Sequence, residues 1–533
     1  MSGTIQGRIG APGPSECKTT NPDAVAAPLN ADNSGPPIHR LPPEILVEIV
    51  RYYIQGDTRL RDTIRLTLVC KRWSTIVQDA PILWTVISAA EGPSVVRKAL
   101  QNAQDALLDL TFNWYTAQMK REAFFESVGR RIGYWRTLDV LIEFPDWDFV
   151  SEHLEKSTPP NLEALHLSAG PGQGRRDMIL FRGNPAPPQL KEISLVNVPI
   201  KLSPVQLSGL KSLTIGSMST IPATDFLNVI LESPVIESIH LRYLDYVFGV
   251  APPEQPSSHP GAFCNSPIRL ASLLHLSLVD IYTPFLRLLL SIITAPHLQT
   301  LDIEWDVQEA SIAHLLDGLG HQLATLASLT ADAQTLTFEL SSYAFYRIVI
   351  GGLDIRLLMS DLPTNASEEV WTWVCTHLGR SLKDLSAHLR IFDWEPEVPA
   401  RLEWFTHHST VTKLTLQNDP YYGMAVMDPI VPFLSRPITS NSAPWLFPQV
   451  EILETNLVQR HGNDALVEMI KNRHSAQDGK DGVAAPTPFR EIWLSFGGKM
   501  SIGAPDPVNI GFLQEVQRVA SHADVYWEKK KVA

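Results

Sequence analysis

A short apolar pattern recurs along most of this chain of 533 residues. It has the form apolar-x-x-apolar-x-apolar, and its starts lie mostly about 20 to 30 residues apart, a period typical of repeat proteins. The last two apolar positions of each copy alternate as they do in a strand with one buried face. The clearest copies are Leu107-Leu110-Phe112, Trp135-Leu138-Val140, Leu162-Leu165-Leu167, Leu190-Ile193-Leu195, Leu210-Leu213-Ile215, Ile236-Ile239-Leu241, Leu273-Leu276-Leu278, Leu298-Leu301-Ile303, Val411-Leu414-Leu416 and Phe489-Ile492-Leu494.

Helix-like runs lie between these predicted strands, for instance at 95–103, 149–154, 225–231 and 284–294. One strand and one helix per unit, with each unit covering its neighbour, predicts an α/β fold. In this respect residues 91–533 resemble a leucine-rich-repeat solenoid, although the asparagine of a regular leucine-rich repeat is mostly absent. The pattern therefore indicates an irregular, leucine-rich-repeat-like α/β solenoid.

Two segments interrupt the predicted solenoid, near 251–267 and 473–488. Both are rich in Pro and Gly together with Ser, His or Asp, a composition typical of exposed loop insertions. The stretch at 330–361 fits the repeat poorly, and its strands are not placed by the pattern. A helical face formed by Phe512, Val516, Val519 and Ala520 and the apolar run at 525–527 predict a closing helix and strand.

Ahead of the repeats, residues 41–88 carry a helical pattern. Pro42 and Pro43 suit the start of a helix, because the first helical amides have no intrahelical partner. From Glu44 onwards, apolar residues at helical offsets form one predicted stripe, which another protein surface must cover. Its members are Ile45, Leu46, Ile49, Val50 and Tyr53.

A second apolar run follows after Gly56 and Asp57, which end the first helix. Its members are predicted to share one helical face: Ile64, Leu68, Val69, Trp73, Ile76 and Val77. Two or three helices in so few residues make a small core. We therefore expect part of this apolar surface to belong to a partner or to the rest of the chain.

These residues resemble the F-box. The resemblance rests on a Leu-Pro opening, a Val-Cys-x-x-Trp centre and a Leu-Trp close, carried by Leu41-Pro42, Glu44-Ile45, Ile49, Val69-Cys70, Arg72-Trp73, Pro81 and Leu83-Trp84. It implies a small helical F-box at 38–90 that binds a Skp-type adaptor and, through it, the cullin of a ubiquitin ligase. The adaptor contacts implied by the resemblance are Leu41, Pro42, Ile45, Leu46, Ile49, Leu68, Val69 and Trp73.

Other interpretations of the same segment stay open. In one interpretation, the hairpin at 42–77 is an ordinary helical pair buried against the following domain. In another, the chain is a ligase-independent interaction scaffold whose F-box-like hairpin caps the solenoid. The leading hypothesis is a non-catalytic receptor of an SCF-type cullin-RING ligase, which presents target proteins for ubiquitin transfer by another subunit.

Composition excludes several other classes. Residues 1–37 are poor in large apolar side chains and are predicted to be a disordered tail without a targeting signal. The longest apolar run, at 285–293, is far shorter than the roughly 20 residues of a membrane span. A net charge of −13 argues against nucleic acid as a partner. Four scattered cysteines fit a reducing compartment, so we expect a cytoplasmic or nuclear protein.

Catalytic and cofactor signatures are missing from the sequence, which predicts a protein that is not an enzyme and binds no cofactor. The glycine-rich run at 170–176 is interpreted as a loop, with a phosphate cradle as the alternative, and His407-His408 as a surface pair without metal partners. One of Trp371 and Trp373 is interpreted as core, with an exposed recognition feature as the alternative. A hydrolase with a site built from distant residues is the weakest alternative.

Target binding is predicted on the strand side of the solenoid and on the loops that leave it. The most suggestive patch contains Glu304, Trp305 and Asp306, with Asp302 beside them, because an aromatic anchor flanked by acids suits a basic target segment. In the alternative interpretation the acids are a solvated strand end and Trp305 packs inside.

Overall fold

The computed structural model describes part of the chain, and every structural statement below concerns those residues. They are 38, 41–54, 59–143, 147–170, 179–183, 186–198, 209–217, 223–244, 268–281, 283–306, 329, 335–341, 345–358, 386–391, 412–416, 434–435, 445, 447–458, 463–476, 485–496 and 507–532. The predicted tail at 1–37, the predicted insertion at 251–267 and His407-His408, Trp371 and Trp373 lie outside them.

The helices are α1 (Pro43–Tyr53), α2 (Arg59–Leu66), α3 (Lys71–Gln78), α4 (Pro93–Asn102), α5 (Arg121–Gly129), α6 (Asp148–Lys156), α7 (Ala223–Leu231), α8 (Thr283–Ile292), α9 (Asp464–Ser475) and α10 (Pro507–Val519). Short 3-10 helices lie at Pro81–Trp84, Ala89–Glu91, Ile132–Tyr134 and Leu180–Gly183. Within the described part of the chain, no helix is both long and apolar enough to cross a membrane.

The strands are β1 (Val86–Ser88), β2 (Leu108–Asn113), β3 (Trp135–Ile142), β4 (Ala164–Ala169), β5 (Glu192–Val196), β6 (Ser212–Gly216), β7 (Ser238–Leu244), β8 (Ile268–Arg269), β9 (His275–Ile281), β10 (Ile293–Thr294), β11 (Thr300–Asp306), β12 (Thr335–Ser341), β13 (Phe345–Ile350), β14 (Leu353–Leu358), β15 (Ser386–Ile391), β16 (Lys413–Leu416), β17 (Ile452–Val458), β18 (Glu491–Phe496), β19 (Asp524–Trp527) and β20 (Lys530–Lys531). The last two apolar positions of all ten copies of the sequence pattern lie in these strands.

Eighteen of these strands form one sheet, and β8 and β10 form a separate parallel pair. From β1 to β7, and on through β9 to β11, neighbouring strands are parallel and follow the chain order. From β15 to β19 the strands are again parallel and sequential, and β20 turns back antiparallel to β19. The predicted mixed α/β class with a helical N-terminal part and a large parallel sheet is confirmed.

Parallel pairing places one apolar position of each strand beside an apolar position of the neighbouring strand, and burial of these side chains stabilises the pairing. This ladder of buried side chains runs through Ile87, Leu110, Leu138, Leu165, Ile193, Leu213, Ile239, Leu276, Leu301 and Leu353. Each fully buried side chain of this size stabilises the fold by about 1.5–3 kcal/mol relative to an exposed one. A one-residue slip would turn every member of the ladder to solvent, so the register is strongly specified.

Four of the strands also share a left-handed residue at or near their ends. Asn197, Ser217, Tyr243 and Asp280 all have positive φ, between 50 and 56°. Each directly follows a residue of one in-register row that crosses β5, β6, β7 and β9. A left-handed conformation is costly for residues other than glycine. Asn197 and Ser217 directly follow β5 and β6, whereas Tyr243 and Asp280 lie inside β7 and β9, which pair again at Leu244 and Ile281. The four units thus share one local backbone conformation at the same level of the sheet.

The helical N-terminal segment is continuous with this sheet. Its residues Val50, Ile54, Leu60 and Val77 belong to the same buried cluster as the core of the following strands. The same hydrogen bond occurs once in the helical N-terminal segment and once in the sheet that follows. In each, the indole Nε1 of a tryptophan donates to the carbonyl oxygen of the residue seven positions earlier, near the end of the preceding α-helix. Trp84 donates to the Val77 oxygen at 2.7 Å and Trp135 to the Val128 oxygen at 3.1 Å. The first strand, β1, therefore lies inside the stretch predicted as the F-box, and the division at residue 90 stays a prediction.

The stretch that fits the sequence pattern poorly is also where the strand order changes. After β11 the neighbouring strand is β14, followed by β13 and β12, and β13 is antiparallel to both of its neighbours. The chain order resumes where β12 pairs parallel with β15. A return strand of this kind lacks the helix-and-strand period, which is why the apolar pattern does not reveal it.

The predicted insertion near 473–488 begins too early. Arg473 lies in the last turn of α9 and is 1% exposed. Its guanidinium donates to the carbonyl oxygens of Phe447 at 2.7 Å, Val450 at 3.2 Å and Thr487 at 3.0 Å. Burial lowers the pKa of Arg473 to about 10, so the group stays charged at neutral pH. The arginine joins α9 to the segments that precede β17 and β18.

Candidate functional site

Helix α1 presents two apolar stripes and not one. Leu46 and Val50 are each 2% exposed and pack in the core, whereas Ile45 is 48% and Ile49 41% exposed. The offsets of four within each pair and of one between them place the two stripes about 100° apart around the helix. The outer stripe continues into Tyr52 and Tyr53, which are also exposed.

A turn between α2 and α3 adds two further exposed apolar side chains. Leu68 is 78% and Val69 59% exposed. The turn itself is ordered by backbone hydrogen bonds, because the amide of Leu68 donates to Arg65 and that of Val69 to Leu66. The predicted shared helical face of residues 64–77 is therefore wrong, because α2 ends at Leu66 and α3 begins at Lys71.

A hydrogen bond ties these two surfaces together. The guanidinium of Arg72, at the start of α3, donates to the carbonyl oxygen of Leu41 at 2.6 Å. Leu41 stands just ahead of α1, and Val69 just ahead of α3. The bond therefore brings the beginnings of the two helices together. We refer to Ile45, Ile49, Tyr52, Tyr53, Leu68 and Val69 as the exposed patch.

Six of the eight predicted adaptor contacts have accessible side chains or lie at the rim of the patch. Pro42, Ile45, Ile49, Leu68 and Val69 are exposed, and Leu41 is partly exposed. Trp73 is half-buried and packs against the core. Leu46 corrects the prediction: its side chain is inside, because residues one apart on a helix point about 100° away from each other. Tyr52 was not predicted as part of the stripe, although it is exposed and its offset of seven from Ile45 places it there.

Glu91 fixes α2 to the start of the sheet. This carboxylate is 4% exposed; its Oε1 accepts from the amide of Leu60 at 3.1 Å, and its Oε2 lies 3.2 Å from Nε of Arg61. It thus supplies an acceptor to the first turn of α2, where helical amides have no intrahelical partner. Burial raises the pKa of Glu91, and the bonds from Arg61 and Leu60 oppose that rise.

This geometry predicts a pH dependence. Because the folded-state pKa of Glu91 is raised, its stabilising contribution is fully present below the unfolded pKa of roughly 4.3 and is lost as the pH rises through the folded value. Glu91→Gln keeps the acceptor without the charge. We expect the urea midpoint of the native chain to fall relative to that of the Gln variant as the pH rises from roughly 4.5 to 7.5.

Two further variants complete this test. Glu91→Ala removes the acceptor and is expected to cost about 1–3 kcal/mol, because the Leu60 amide is left without a partner. Glu48→Gln breaks an exposed pair with Arg51 at 3.7 Å and should leave the midpoint nearly unchanged. A pH profile that is the same for Glu91→Gln and the native chain would contradict this role of Glu91.

The predicted target-binding patch is only partly described. Glu304 lies on β11, and its carboxylate pairs with the Arg356 guanidinium on the neighbouring β14 at 3.3 Å. Its charge is therefore matched within the sheet. Trp305 and Asp306 belong to the same strand, but their side chains lie outside the described part of the chain. Target contact by these three residues stays a prediction.

No metal centre is seen among the residues that the structure describes, since no three of their His, Cys, Asp and Glu side chains could hold an ion together. Of the glycine-rich run at 170–176 only Gly170 is described, so its interpretation as a loop stays a prediction. The chemical content of the site is instead apolar: an ordered helical surface whose large side chains face outwards.

Comparison with known proteins identifies the segment that carries this surface. Residues 38–89 match the F-box-like family. This range contains α1, α2, α3, the whole exposed patch and β1. No curated protein matches the chain. The chain thus carries an F-box-like domain at its N-terminal part, as the sequence resemblance predicted, while the resemblance of the remainder to leucine-rich repeats stays a prediction.

Proposed function

We propose that this protein is a substrate-recognition subunit of an SCF-type cullin-RING ubiquitin ligase. The exposed patch binds a Skp-type adaptor, and the adaptor links the chain to a cullin. The observation that carries the proposal is the outward placement of Ile45, Ile49, Leu68 and Val69 within a segment that matches the F-box-like family. Apolar residues that converge on one ordered surface are typical of a protein-binding site.

The distribution of exposed apolar side chains supports this placement. Among the described residues, fourteen large apolar side chains are exposed, and eight of them fall between residues 38 and 82. The others are spread over the remaining ranges. A single domain of this size that concentrates so much apolar surface is expected to have that surface covered by a partner.

The remainder of the chain is proposed to be a leucine-rich-repeat-like solenoid that presents targets. Support comes from the in-register apolar ladder, the sequential parallel strand order and the left-handed residue that four units share at the same level of the sheet. A target held on such a rigid surface is brought close to the ligase's transfer site, and proximity alone raises its effective concentration. The receptor itself is proposed to be non-catalytic.

A second function is favoured by one observation. The F-box helices share a continuous core with the sheet, and β1 is the first strand of that sheet. This arrangement also suits a ligase-independent scaffold in which the helices cap the repeats. The two functions differ in what they require of the patch: a cap needs only the inner stripe of α1, whereas a receptor needs the outer stripe.

Co-precipitation separates the two. The tagged full-length chain, expressed in cells, is expected to bring down both a Skp-type adaptor and a cullin. Loss of the cullin when the adaptor is depleted would show that the link runs through the adaptor. A full-length, folded chain that recovers neither protein would overturn the ligase proposal and leave the scaffold.

A further inference from the structure

A pocket opens on the face of the sheet that the core does not cover. It has a volume of about 450 Å3 and lies where β7, β9, β11 and β14 are neighbours. Its polar lining includes His240, His275, Ser277, Thr300, Asp302 and Asp354. Pockets that bring a few polar groups together on a rigid framework are the usual form of binding sites.

The polar groups converge because the strands pair in register. His240, Ser277, Asp302 and Asp354 form one row across the four strands, each directly beside the next. Their sequence neighbours on either side are buried in the core. The period of two along a strand therefore sends this row to the open face. Ser277 donates to Oδ2 of Asp302 at 3.3 Å.

Asp302 is the one acid of this row with an unsatisfied oxygen. Its Oδ1 is buried and has no hydrogen-bond partner among the described residues. Asp354 differs, because Arg347 donates to it at 2.8 Å and Arg356 at 2.9 Å. Although burial works in the other direction, these bonds lower the pKa of Asp354. Asp354 is thus already neutralised, whereas Asp302 has an acceptor left for a ligand.

The histidine of the row does not supply the missing positive charge. Burial lowers the pKa of His240, and the nearby Arg242 acts in the same direction, so the ring is neutral at neutral pH. Its Nε2 lies 2.8 Å from Oγ of Ser238. On the neighbouring row, Nδ1 of His275 lies 2.8 Å from Oγ1 of Thr300. The pocket therefore combines a carboxylate oxygen that accepts no hydrogen bond among the described residues with side chains that can form hydrogen bonds.

The change of strand order builds one wall of the pocket. The turn between β13 and β14 contains Gly351, with φ of 56°, and Gly352. A side chain at Gly352 would collide with the Gln299 carbonyl, so only glycine lets the turn lie against the start of β11. The amide of Leu301 donates to the Gly352 oxygen at 2.8 Å. Functional sites are expected where a fold departs from its regular pattern. Here the departure from the repeat also completes a pocket.

We propose that this pocket receives a lysine or arginine side chain of the target protein, with Asp302 as its anion. This assignment rests on the proposed receptor function and specifies which kind of target side chain the site binds. A cationic donor satisfies the free oxygen of Asp302 and balances its charge. The anion of this site, Asp302, lies two residues before Glu304 on β11. The charge of Glu304 is already matched by Arg356.

Defined peptides test the pocket. The probes are labelled short peptides of Gly and Ser with one central Lys, Arg, Gln or Glu, and binding to the full-length protein is followed by fluorescence anisotropy. We expect the Lys and Arg peptides to bind at least about tenfold more tightly than the Gln and Glu peptides. Asp302→Asn keeps the shape of the side chain without its charge and should remove this preference.

Asp139→Asn is the matched control. Asp139 stands in the same register row on β3, several strands away from the pocket, and its replacement changes net charge by the same amount. The control should keep the preference for Lys and Arg. No preference in the native chain, or a preference that survives in Asp302→Asn, would overturn the proposal. Adaptor binding by each variant is measured separately, so a failure of the ligase proposal is not mistaken for a failure of the pocket.

Discussion

Replacing Ile45 and Ile49 together with aspartate is expected to abolish binding of a Skp-type adaptor. Both side chains lie on the outer stripe of α1, 48% and 41% exposed. Aspartate is therefore tolerated in the free protein, where water solvates it, but a covering partner would remove that water. Desolvating a carboxylate against an apolar surface costs several kcal/mol, enough to lower affinity by roughly a thousandfold. Isothermal titration with purified adaptor measures the loss.

The chain offers a closely matched control. Leu231 and Val235 are 44% and 46% exposed and lie far from the patch in the sequence, at the end of α7 and ahead of β7. The double aspartate variant at these positions adds the same charge to equally exposed apolar sites. It should bind adaptor as the native chain does. If both double variants bound equally well, the outer stripe of α1 would not be the adaptor surface.

A chain that ends after Thr300 is expected to be largely insoluble. The cut removes nearly all of β11, and with it Leu301 and Ile303, which cover Leu276 and Leu278 of β9 through the in-register pairing. Each of these buried side chains contributes about 1.5–3 kcal/mol, and the open edge of a parallel sheet is prone to pair with other chains. The soluble fraction after expression, followed by size-exclusion chromatography, measures the effect.

Supplying the missing strands should reverse that effect. Co-expression of residues 1–300 with residues 301–533 is expected to restore soluble material in which the two pieces elute together. A piece ending after Thr300 that is monomeric and unfolds cooperatively on its own would contradict the continuous core, and would favour separate domains instead.

The apolar pattern was sufficient to predict ten of the strands, because their register depends on few positions. Where a strand lacks an apolar residue at one of these positions, the pattern does not predict it. Strand β17 was not predicted, since its third apolar position is Thr455, which is 1% exposed. Strands β12 to β14 were not predicted either, because the antiparallel return through β13 leaves no helix-and-strand period in the sequence.

The sequence was sufficient to locate the exposed patch but not to identify all of its residues. Helical offsets identify which residues share a stripe, yet Leu46 and Ile45 are both apolar, and only the packing of α1 on the core tells the inner stripe from the outer one. Likewise Asp302 and Glu304 look equivalent along β11. Their difference depends on Arg356, which lies on a strand 52 residues later and becomes a neighbour of Glu304 only through the changed strand order.

The central claim is that the outer surface of the F-box-like domain binds a Skp-type adaptor. Titration of purified full-length protein with purified adaptor tests it most directly. The proposal predicts a saturable one-to-one complex in the native chain, retained in the Leu231 and Val235 double variant and lost when Ile45 and Ile49 are replaced with aspartate. Absence of any complex between the folded native chain and the adaptor would contradict it.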